Sequence, residues 1–230
     1  MTKLIVADDH PLFRNALINA ISSSFATTAT IETDSFETTC AALEQHPDTD
    51  MLLFDLHMPG NCGFLGLIQL RKNFPTLPIV VISASEEIDV IRRVMAFGAS
   101  AYIPKSASPA DIATALNQVL AGELWVPQHL TKQVFQQANQ DSERDLDLAA
   151  RVAQLTQQQY KVLYYLTEGW LNKQIAYDLE ISEATVKAHI TAIFRKLGVT
   201  NRTQVVIQAQ RLTLEPPVNK AIAEFSPTHR

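Results

Sequence analysis

The sequence predicts a doubly wound, five-stranded parallel α/β domain followed by a small all-α domain of helix-turn-helix plan. Three observations carry this reading. Leu4-Ile5-Val6-Ala7, Met51-Leu52-Leu53-Phe54 and Ile79-Val80-Val81-Ile82 are short, almost wholly apolar runs, as strands buried on both faces of a parallel sheet require. From Leu155 onward there are short helical segments and no strand pattern. The charge divides at the same place: residues 1–121 carry a net −6, residues 122–150 a net −3 and residues 151–212 a net +4, within a total of −5.

Element by element, the first strand begins at Thr2-Lys3 and ends in Asp8-Asp9. Thr28–Glu32 is a weaker second strand. The third ends in Asp55, the fourth in Ser83, and Ser100–Ile103 is a weaker fifth. The last helix of this half is the clearest: Ser108 caps it, Pro109 suits its first position, and Asp111 faces the helix N-terminus. Ile112, Ala115, Leu116, Val119 and Leu120 make its apolar stripe. Five such βα units close a doubly wound sheet. Residues 122–150 lose this periodicity, and the Gln-, Asn- and acid-rich stretch from Gln133 to Asp147 reads as a linker with some helix.

In the second domain Thr156 caps a helix whose apolar positions are Val162, Leu163 and Leu166, and Gly169 ends it. A short helix follows over Lys173–Leu179. Ser182 then caps a longer one that Gly198 stops. Val186, Ile190, Ile193 and Leu197 form its buried face, and Lys187, Thr191 and Arg195 share another face. The expected boundaries are residues 1–121 for the α/β domain, 122–150 for the linker, 151–214 for the helical domain and 215–230 for a flexible tail containing Pro216-Pro217.

Composition excludes other classes. The chain has 230 residues, 47% of them hydrophobic and 19% charged, which rules out a disordered protein. Cys40 and Cys62 alone, without a Cys/His cluster, make neither a disulfide framework nor a zinc site. No run of 18 apolar residues would cross a membrane, and the N-terminus does not read as a secretory signal. A cytoplasmic, reduced protein is expected.

The strand ends hold the chemistry. In a doubly wound sheet, ligands bind beyond the carboxyl ends of the strands. Asp8, Asp9, Asp55, Ser83 and Lys105 all fall there. Crowded carboxylates need a cation, and an all-oxygen pocket suits Mg²⁺. A carboxylate can also act as nucleophile toward phosphorus, with Lys105 as a point charge on the phosphoryl group and Ser83 as a hydrogen-bond donor.

With Asp8-Asp9, Asp55-Leu56-His57-Met58-Pro59-Gly60, Ser83-Ala84, Tyr102 and Lys105 in this order, residues 2–121 resemble the flavodoxin-like receiver domain of bacterial two-component response regulators. The resemblance implies that Asp55 is the phosphoacceptor. It implies Mg²⁺ held by Asp9, Asp55, the backbone carbonyl of His57 and, through water, Asp8. Ser83 and Tyr102 would be the switch pair: Ser83 moves toward the phosphoryl group and Tyr102 fills the space it leaves. Ser106 stands where many receivers have proline after the lysine.

The stretches Gly169–Ala176, Ile181–His189, Lys196-Leu197-Gly198-Val199 and Asn201-Arg202-Thr203-Gln204 are similar to the LuxR-type DNA-binding domain, and the whole chain resembles the NarL/FixJ family. The resemblance puts Lys187, Ala188 and Thr191 at base edges. It puts Asn172, Lys173, Thr185, Arg195, Lys196, Arg202 and Thr203 on the DNA backbone, and Val205, Val206 and Ala209 at a dimer contact on a two-fold operator. The implied partners are a sensor histidine kinase, double-stranded DNA, RNA polymerase and, when active, a second copy of the chain. Two positions depart from the family: Gln158-Gln159 replaces a charged pair, removing an ion pair, and Leu171 stands in a usual Ser/Thr capping position. The alternative function is a receiver-linked DNA-binding protein that acts without phosphorylation. An aspartyl-phosphate hydrolase is disfavoured because Asp8-Asp9 is not Asp-x-Asp.

Overall fold

The computed structural model describes residues 2–25, 28–61, 63–135 and 140–212. Five parallel strands, β1 (Thr2–Ala7), β2 (Thr28–Thr33), β3 (Met51–Asp55), β4 (Ile79–Ser83) and β5 (Ala101–Pro104), lie in the order β2-β1-β3-β4-β5. Helices α1 (Pro11–Ser24), α2 (Phe36–Gln45), α3 (Phe64–Asn73), α4 (Ile88–Ala96) and α5 (Pro109–Leu120) connect and follow them. Every residue of β3, β4 and β5 is buried, the consequence of helices covering both faces. One apolar cluster contains Ile5, Leu52, Phe54 and Val81; the other contains Leu4, Val6, Leu53, Val80 and Ile82. Alternate residues of each strand thus feed opposite faces. Ser108 and Pro109 start α5 as expected, but Leu120 leaves the apolar stripe and is 40% exposed.

The second domain contains α8 (Gln157–Thr167), α9 (Asn172–Asp178), α10 (Glu183–Leu197) and α11 (Arg202–Gln210). Thr156, Ser182 and Asn201 cap α8, α10 and α11 through side-chain oxygens. Leu171 offers α9 no such cap; instead Gln174 Oε1 accepts from the Leu171 amide at 2.7 Å. Gly198 stops α10 at φ 71°, a left-handed position that disfavours a Cβ. Val186, Ile193 and Leu197 are buried, and Ile190 is half-buried.

The segment between the domains is more ordered than its composition suggests. Trp125 lies beside β5: its amide donates to Ser100 O at 3.1 Å, and its carbonyl accepts from the Tyr102 amide at 3.0 Å. A 3₁₀ turn at Gln128–Leu130 and α6 (Thr131–Phe135) follow, with Leu130 and Val134 buried. Helix α7 (Gln140–Ala153) runs through the expected boundary at residue 150. Residues 215–230 of the expected tail lie outside the described residues, as does Cys62. No described helix is long and apolar enough to cross a membrane.

The two domains share one joint. Phe36 of α2 meets Tyr160 of α8 with ring centroids 5.4 Å apart. Lys161 of α8 pairs with Glu37 of α2 at 2.7 Å. The Phe64 amide at the start of α3 donates to Leu212 O at 3.0 Å. At the centre Asp145 of α7 is held between Arg93 of α4, at 3.0 Å, and Arg211, just past α11, at 3.1 Å. The guanidinium of Arg93 also lies over the Phe64 ring, 4.7 Å from its centroid.

The Asp145→Asn change would leave two arginines facing an uncharged amide. Its expected cost is about 1–3 kcal/mol, the scale of a charged hydrogen bond deprived of its partner. Chemical unfolding would measure that loss, and small-angle scattering would show a larger radius of gyration as the domains separate. An unchanged radius would mean that the apolar contacts alone hold the joint.

Candidate functional site

The carboxylate site is built by the strand order. With β1 beside β3 at the point where the connections reverse direction, the ends of both strands open onto one crevice. Asp8, at the end of β1, and Asp55, the last residue of β3, are almost wholly buried. Lys105, one residue past β5, places Nζ 2.7 Å from Asp8 Oδ2 and 2.8 Å from Asp55 Oδ2. The other Asp55 oxygen accepts from the His57 amide at 3.0 Å, and Asp8 Oδ1 accepts from the His10 amide at 2.7 Å. The predicted residues Asp8, Asp9, Asp55 and Lys105 therefore meet at a single sheet edge. Burial alone would lower the Lys105 ammonium, but its hydrogen bonds and charge interactions with Asp55 and Asp8 outweigh that and raise its pKa.

Ligand atoms of Asp8, Asp9, His10 and Asp55 lie within 4.8 Å of one another. Asp8 Oδ2 and Asp9 Oδ1 are buried without a well-directed hydrogen-bond donor, although Lys105 Nζ and His10 Nδ1 stand 2.7 Å away from them. Two carboxylate oxygens with unused lone pairs in an all-oxygen pocket fit a hard divalent cation such as Mg²⁺. The His57 side chain is exposed, with Nδ1 3.8 Å from Asp55 Oδ1.

Ser83 is fully buried at the end of β4, and its Oγ accepts from the Ser85 amide at 3.4 Å. Tyr102 departs from expectation. Its ring is already completely buried, and its hydroxyl donates to Ser85 O, so it needs no vacated space to turn inward. Burial pushes that hydroxyl up to about 12, keeping it a donor.

Sequence reasoning missed Phe13 and Arg14 on the first turn of α1, which His10 immediately precedes. His10 stands against Asp9. The Phe13 ring lies 4.7 Å from Lys105 Nζ. Arg14 Nη1 donates to Asp8 O at 2.5 Å, and its Nε pairs with Glu32 at 2.8 Å. Pro11 as the first helical residue was the available signal, because it turns this turn back over the strand end.

In the second domain Lys187, Ala188, Thr191 and Arg195 are exposed along α10, and Lys173, Thr185 and Thr203 are exposed around it. No described residue of the first domain covers this face. Three residues expected at the DNA backbone are committed inside the domain. Lys196 Nζ donates to Gln154 O at 2.8 Å and to Gln159 Oε1 at 2.7 Å. Arg202 donates to Trp170 O and, at 3.5 Å, to Asn172 Oδ1. Gln159 therefore keeps Lys196 through a charge–dipole bond where an ion pair had been expected to be lost. Of the expected dimer residues, Val205 and Ala209 point into the core and Val206 is half-buried; the exposed apolar side chain of α11 is Ile207.

Comparison with known proteins identifies both halves. A family model described as the response regulator receiver domain matches residues 4–117, and one described as bacterial regulatory proteins, luxR family, matches residues 153–209. The glycerol metabolism activator of Pseudomonas putida is 39% identical over 210 residues, covering 91% of this chain and 95% of its own. The nitrate/nitrite response regulator protein NarL of Escherichia coli (strain K12) is 31% identical over 207 residues, covering 89% and 93%. Among solved structures, the RcsB response regulator of Salmonella typhimurium matches with a TM-score of 0.55 at 20% identity, covering 91% of this chain and all of that one. A structure of two RcsB dimers bound to two parallel DNAs matches with a TM-score of 0.55 at 21% identity, covering 92% and 99%. These structural matches show a shared fold.

Lys105→Met removes the cation between Asp8 and Asp55, so it should lower stability at neutral pH, and added Mg²⁺ should restore part of the loss. A lysine whose pKa is raised by folding contributes fully below its unfolded value, about 10.4, and loses that contribution as pH rises through the folded value. The stability gap between wild type and Lys105→Met should therefore narrow above that pH. Urea unfolding across neutral to alkaline pH measures it, and a gap independent of pH would contradict the assignment.

Proposed function

The chain belongs to the NarL/FixJ family of two-component response regulators, in which a receiver is joined to a LuxR-type DNA-binding domain that regulates transcription, and we propose that phosphorylation of Asp55 is its control point. The observation that carries this reading is the buried Asp55 carboxylate, one oxygen on Lys105 and the other on the His57 amide, beside Asp8 and Asp9.

In the proposed transfer an Asp55 oxygen attacks phosphorus. The P–N bond of a phosphohistidine on a sensor kinase breaks as the P–O bond forms, and the imidazole leaves. Lys105 then lies against the new phosphoryl oxygens as a point charge, and the Ser83 hydroxyl donates to one of them. Asp8, Asp9, Asp55 and the His57 carbonyl would hold Mg²⁺, which when bound neutralises charge on the carboxylates and the incoming phosphoryl group. His10, Phe13 and Arg14 position the two strand-end acids and Lys105. The chain itself is a regulator rather than a catalyst acting on a metabolite, and it works in the cytoplasm.

The signal leaves the site by two short routes. The Ser83 hydroxyl contacts the β4–α4 turn, where Ser85 also accepts the Tyr102 hydroxyl, and α4 carries Arg93 into the Asp145–Arg211 joint. Tyr102 also holds the interdomain segment through its amide bond to Trp125 O. Drawing Ser83 toward a phosphoryl group shifts α4 and weakens the joint, a local charge biasing a two-state element. The released DNA-binding domains then pair along α11, with Ile207 and Val206 outward and Val205 and Ala209 supporting them from the core. Two copies read a two-fold operator, and RNA polymerase is the downstream partner.

We assign Lys187, Ala188 and Thr191 to base edges, and Lys173, Thr185, Arg195 and Thr203 to phosphates. Asn172, Lys196 and Arg202 stand beside that surface and hold its shape. A regulator that ignores phosphorylation is the second reading, favoured by the uncovered α10.

Two experiments test this function. Acetyl phosphate with Mg²⁺ should retard the wild type on a Phos-tag gel and leave Asp55→Asn unmoved; no retardation of either protein would establish the second reading. In salt titrations of DNA binding, Lys187→Ala should cost about 1–3 kcal/mol of discrimination between operator and random sequence. Arg195→Ala should weaken both alike and lower the salt slope by about one. Identical effects of the two changes would refute the division of roles.

A further inference from the structure

The Mg²⁺ chemistry of the strand-end pocket leaves one ligand atom unused. Among the described residues, Asp8, Asp9, His10 and Asp55 bring their ligand atoms within 4.8 Å of one another. Three of these atoms are carboxylate oxygens, and the fourth is an imidazole nitrogen. His10 Nδ1 stands 2.7 Å from Asp9 Oδ1 and 3.4 Å from Asp8 Oδ1. The backbone fixes the residue there: its amide donates to Asp8 Oδ1 at 2.7 Å, and it caps α1 directly before Pro11, whose ring locks the next φ. The imidazole is 64% exposed, so an ion reaches it from solvent without any opening of the fold. His57 is placed differently. Its Nδ1 lies 3.8 Å from Asp55 Oδ1, and it is not a member of the group.

The donor type selects the metal. Mg²⁺ takes hard oxygen ligands in octahedral geometry and keeps several waters. Imidazole suits zinc and its first-row neighbours, which bind nitrogen and carboxylate oxygen together. Bonds of about 2.0–2.2 Å put adjacent ligands of a tetrahedral ion roughly 3.4 Å apart. The two separations around His10 Nδ1, 2.7 and 3.4 Å, lie close to that spacing. Charge agrees as well: three carboxylates less the Lys105 ammonium leave an excess of two negative charges, which one dication cancels. This is a carboxylate–imidazole site, unlike the cysteine clusters that the sequence lacks. Four protein ligands close a tetrahedral shell and leave no position for a further ligand. The waters that Mg²⁺ keeps are positions a phosphoryl oxygen can take.

We propose that Asp8, Asp9, His10 and Asp55 also bind a transition-metal dication of the zinc class, with His10 as the ligand that selects it, and that this ion blocks phosphorylation. The two metals use the same carboxylates and exclude one another. With Mg²⁺ the pocket is open to a phosphoryl group; with Zn²⁺ the Asp55 oxygen is spent as a ligand and the shell is full. The receiver thereby answers to the ratio of the two ions as well as to its phosphoryl donor. The block rests on Asp55 being the phosphoacceptor, whereas the binding of Zn²⁺ through His10 does not.

The test titrates the full, unphosphorylated chain with Zn²⁺ and with Mg²⁺ by calorimetry. His10→Gln keeps a polar group of similar reach beside Asp9 but has no ring nitrogen, and its Mg²⁺ affinity reports whether the pocket is still formed. The variant should lower the ratio of Zn²⁺ to Mg²⁺ affinity at least about tenfold, since even outer-shell partners of a bound metal commonly matter by that much. His57→Ala should leave the ratio unchanged. In the acetyl phosphate reaction with Mg²⁺, Zn²⁺ should suppress the Phos-tag retardation of the wild type, and His10→Gln should need about tenfold more Zn²⁺ for the same suppression. An unchanged ratio in His10→Gln, an equal fall in His57→Ala, or phosphorylation that proceeds at saturating Zn²⁺ would each overturn the proposal. His10-dependent Zn²⁺ binding in a chain that acetyl phosphate and Mg²⁺ never retard would refute the acceptor reading alone and leave the metal site standing.

Discussion

The structure depends on one ammonium group. Asp8 and Asp55 terminate neighbouring strands, and each is stripped of water by the apolar strands leading to it. Two buried carboxylates at that spacing oppose folding unless a cation stands between them. Lys105 does so, 2.7 Å from one and 2.8 Å from the other. It comes from the far side of the sheet, beyond β5, so the site exists only when β1, β3, β4 and β5 are all in register. The same cation that lets the sheet close also faces any phosphoryl group that becomes bonded to an Asp55 oxygen. Stability and chemistry thus rest on the same contact, and the cluster of Asp8, Asp9 and Asp55 oxygens around it points to the second cation the site fits.

From that edge the fold offers short mechanical paths. Ser83 and Lys105 end and follow adjacent strands, and Tyr102 bridges them by giving its hydroxyl to Ser85 and its amide to Trp125. Helix α4 begins three residues beyond Ser85 and carries Arg93 to Asp145. Asp145 is buried between two arginines from two domains, an arrangement that is stable when complete and costly when broken on one side. A joint of this kind has two states rather than a continuum, because partial separation strands a buried charge. In the proposed mechanism that property converts a small displacement at a strand end into a change in domain arrangement.

The strand-end site was legible because its signals are local: an apolar run, then an acid, in a topology with few alternatives. The caps Thr156 and Ser182 and the stop at Gly198 were legible for the same reason. What the sequence hid is non-local. Asp145 sits in a polar, acid-rich stretch that reads as linker, and its partners are Arg93, in the other domain, and Arg211, separated from it by 66 residues. Lys196 and Arg202 read as phosphate contacts because nothing in the chain announces that Gln154 O and Trp170 O lie within their reach. Val205 and Ala209 share a helix face that periodicity marks as apolar, but periodicity does not say whether that face meets the domain's own core or a second copy. Tyr102 was placed correctly on β5, while its inward rotamer depended on the Ser85 carbonyl.

Charge limits how the receiver can control the reader. Residues 1–121 carry a net −6 and residues 151–212 a net +4. Phosphorylation makes the receiver more negative, so its direct electrostatic effect on approach to DNA is repulsive. That effect is also weak, since the Debye length at physiological salt is about 8 Å and the reading residues of α10 are exposed to solvent. Masking of the reading face is equally ruled out in this arrangement, because Lys187, Thr191 and Arg195 are already open to solvent. What remains is geometry. A two-fold operator rewards two reading helices held one helical turn apart, and a receiver fastened to α8 and to the end of α11 constrains how two copies can bring those helices together. Under the proposed function, control acts on the pairing of DNA-binding domains rather than on the affinity of any one of them, with the joint around Asp145 as the place where that pairing is permitted or withheld.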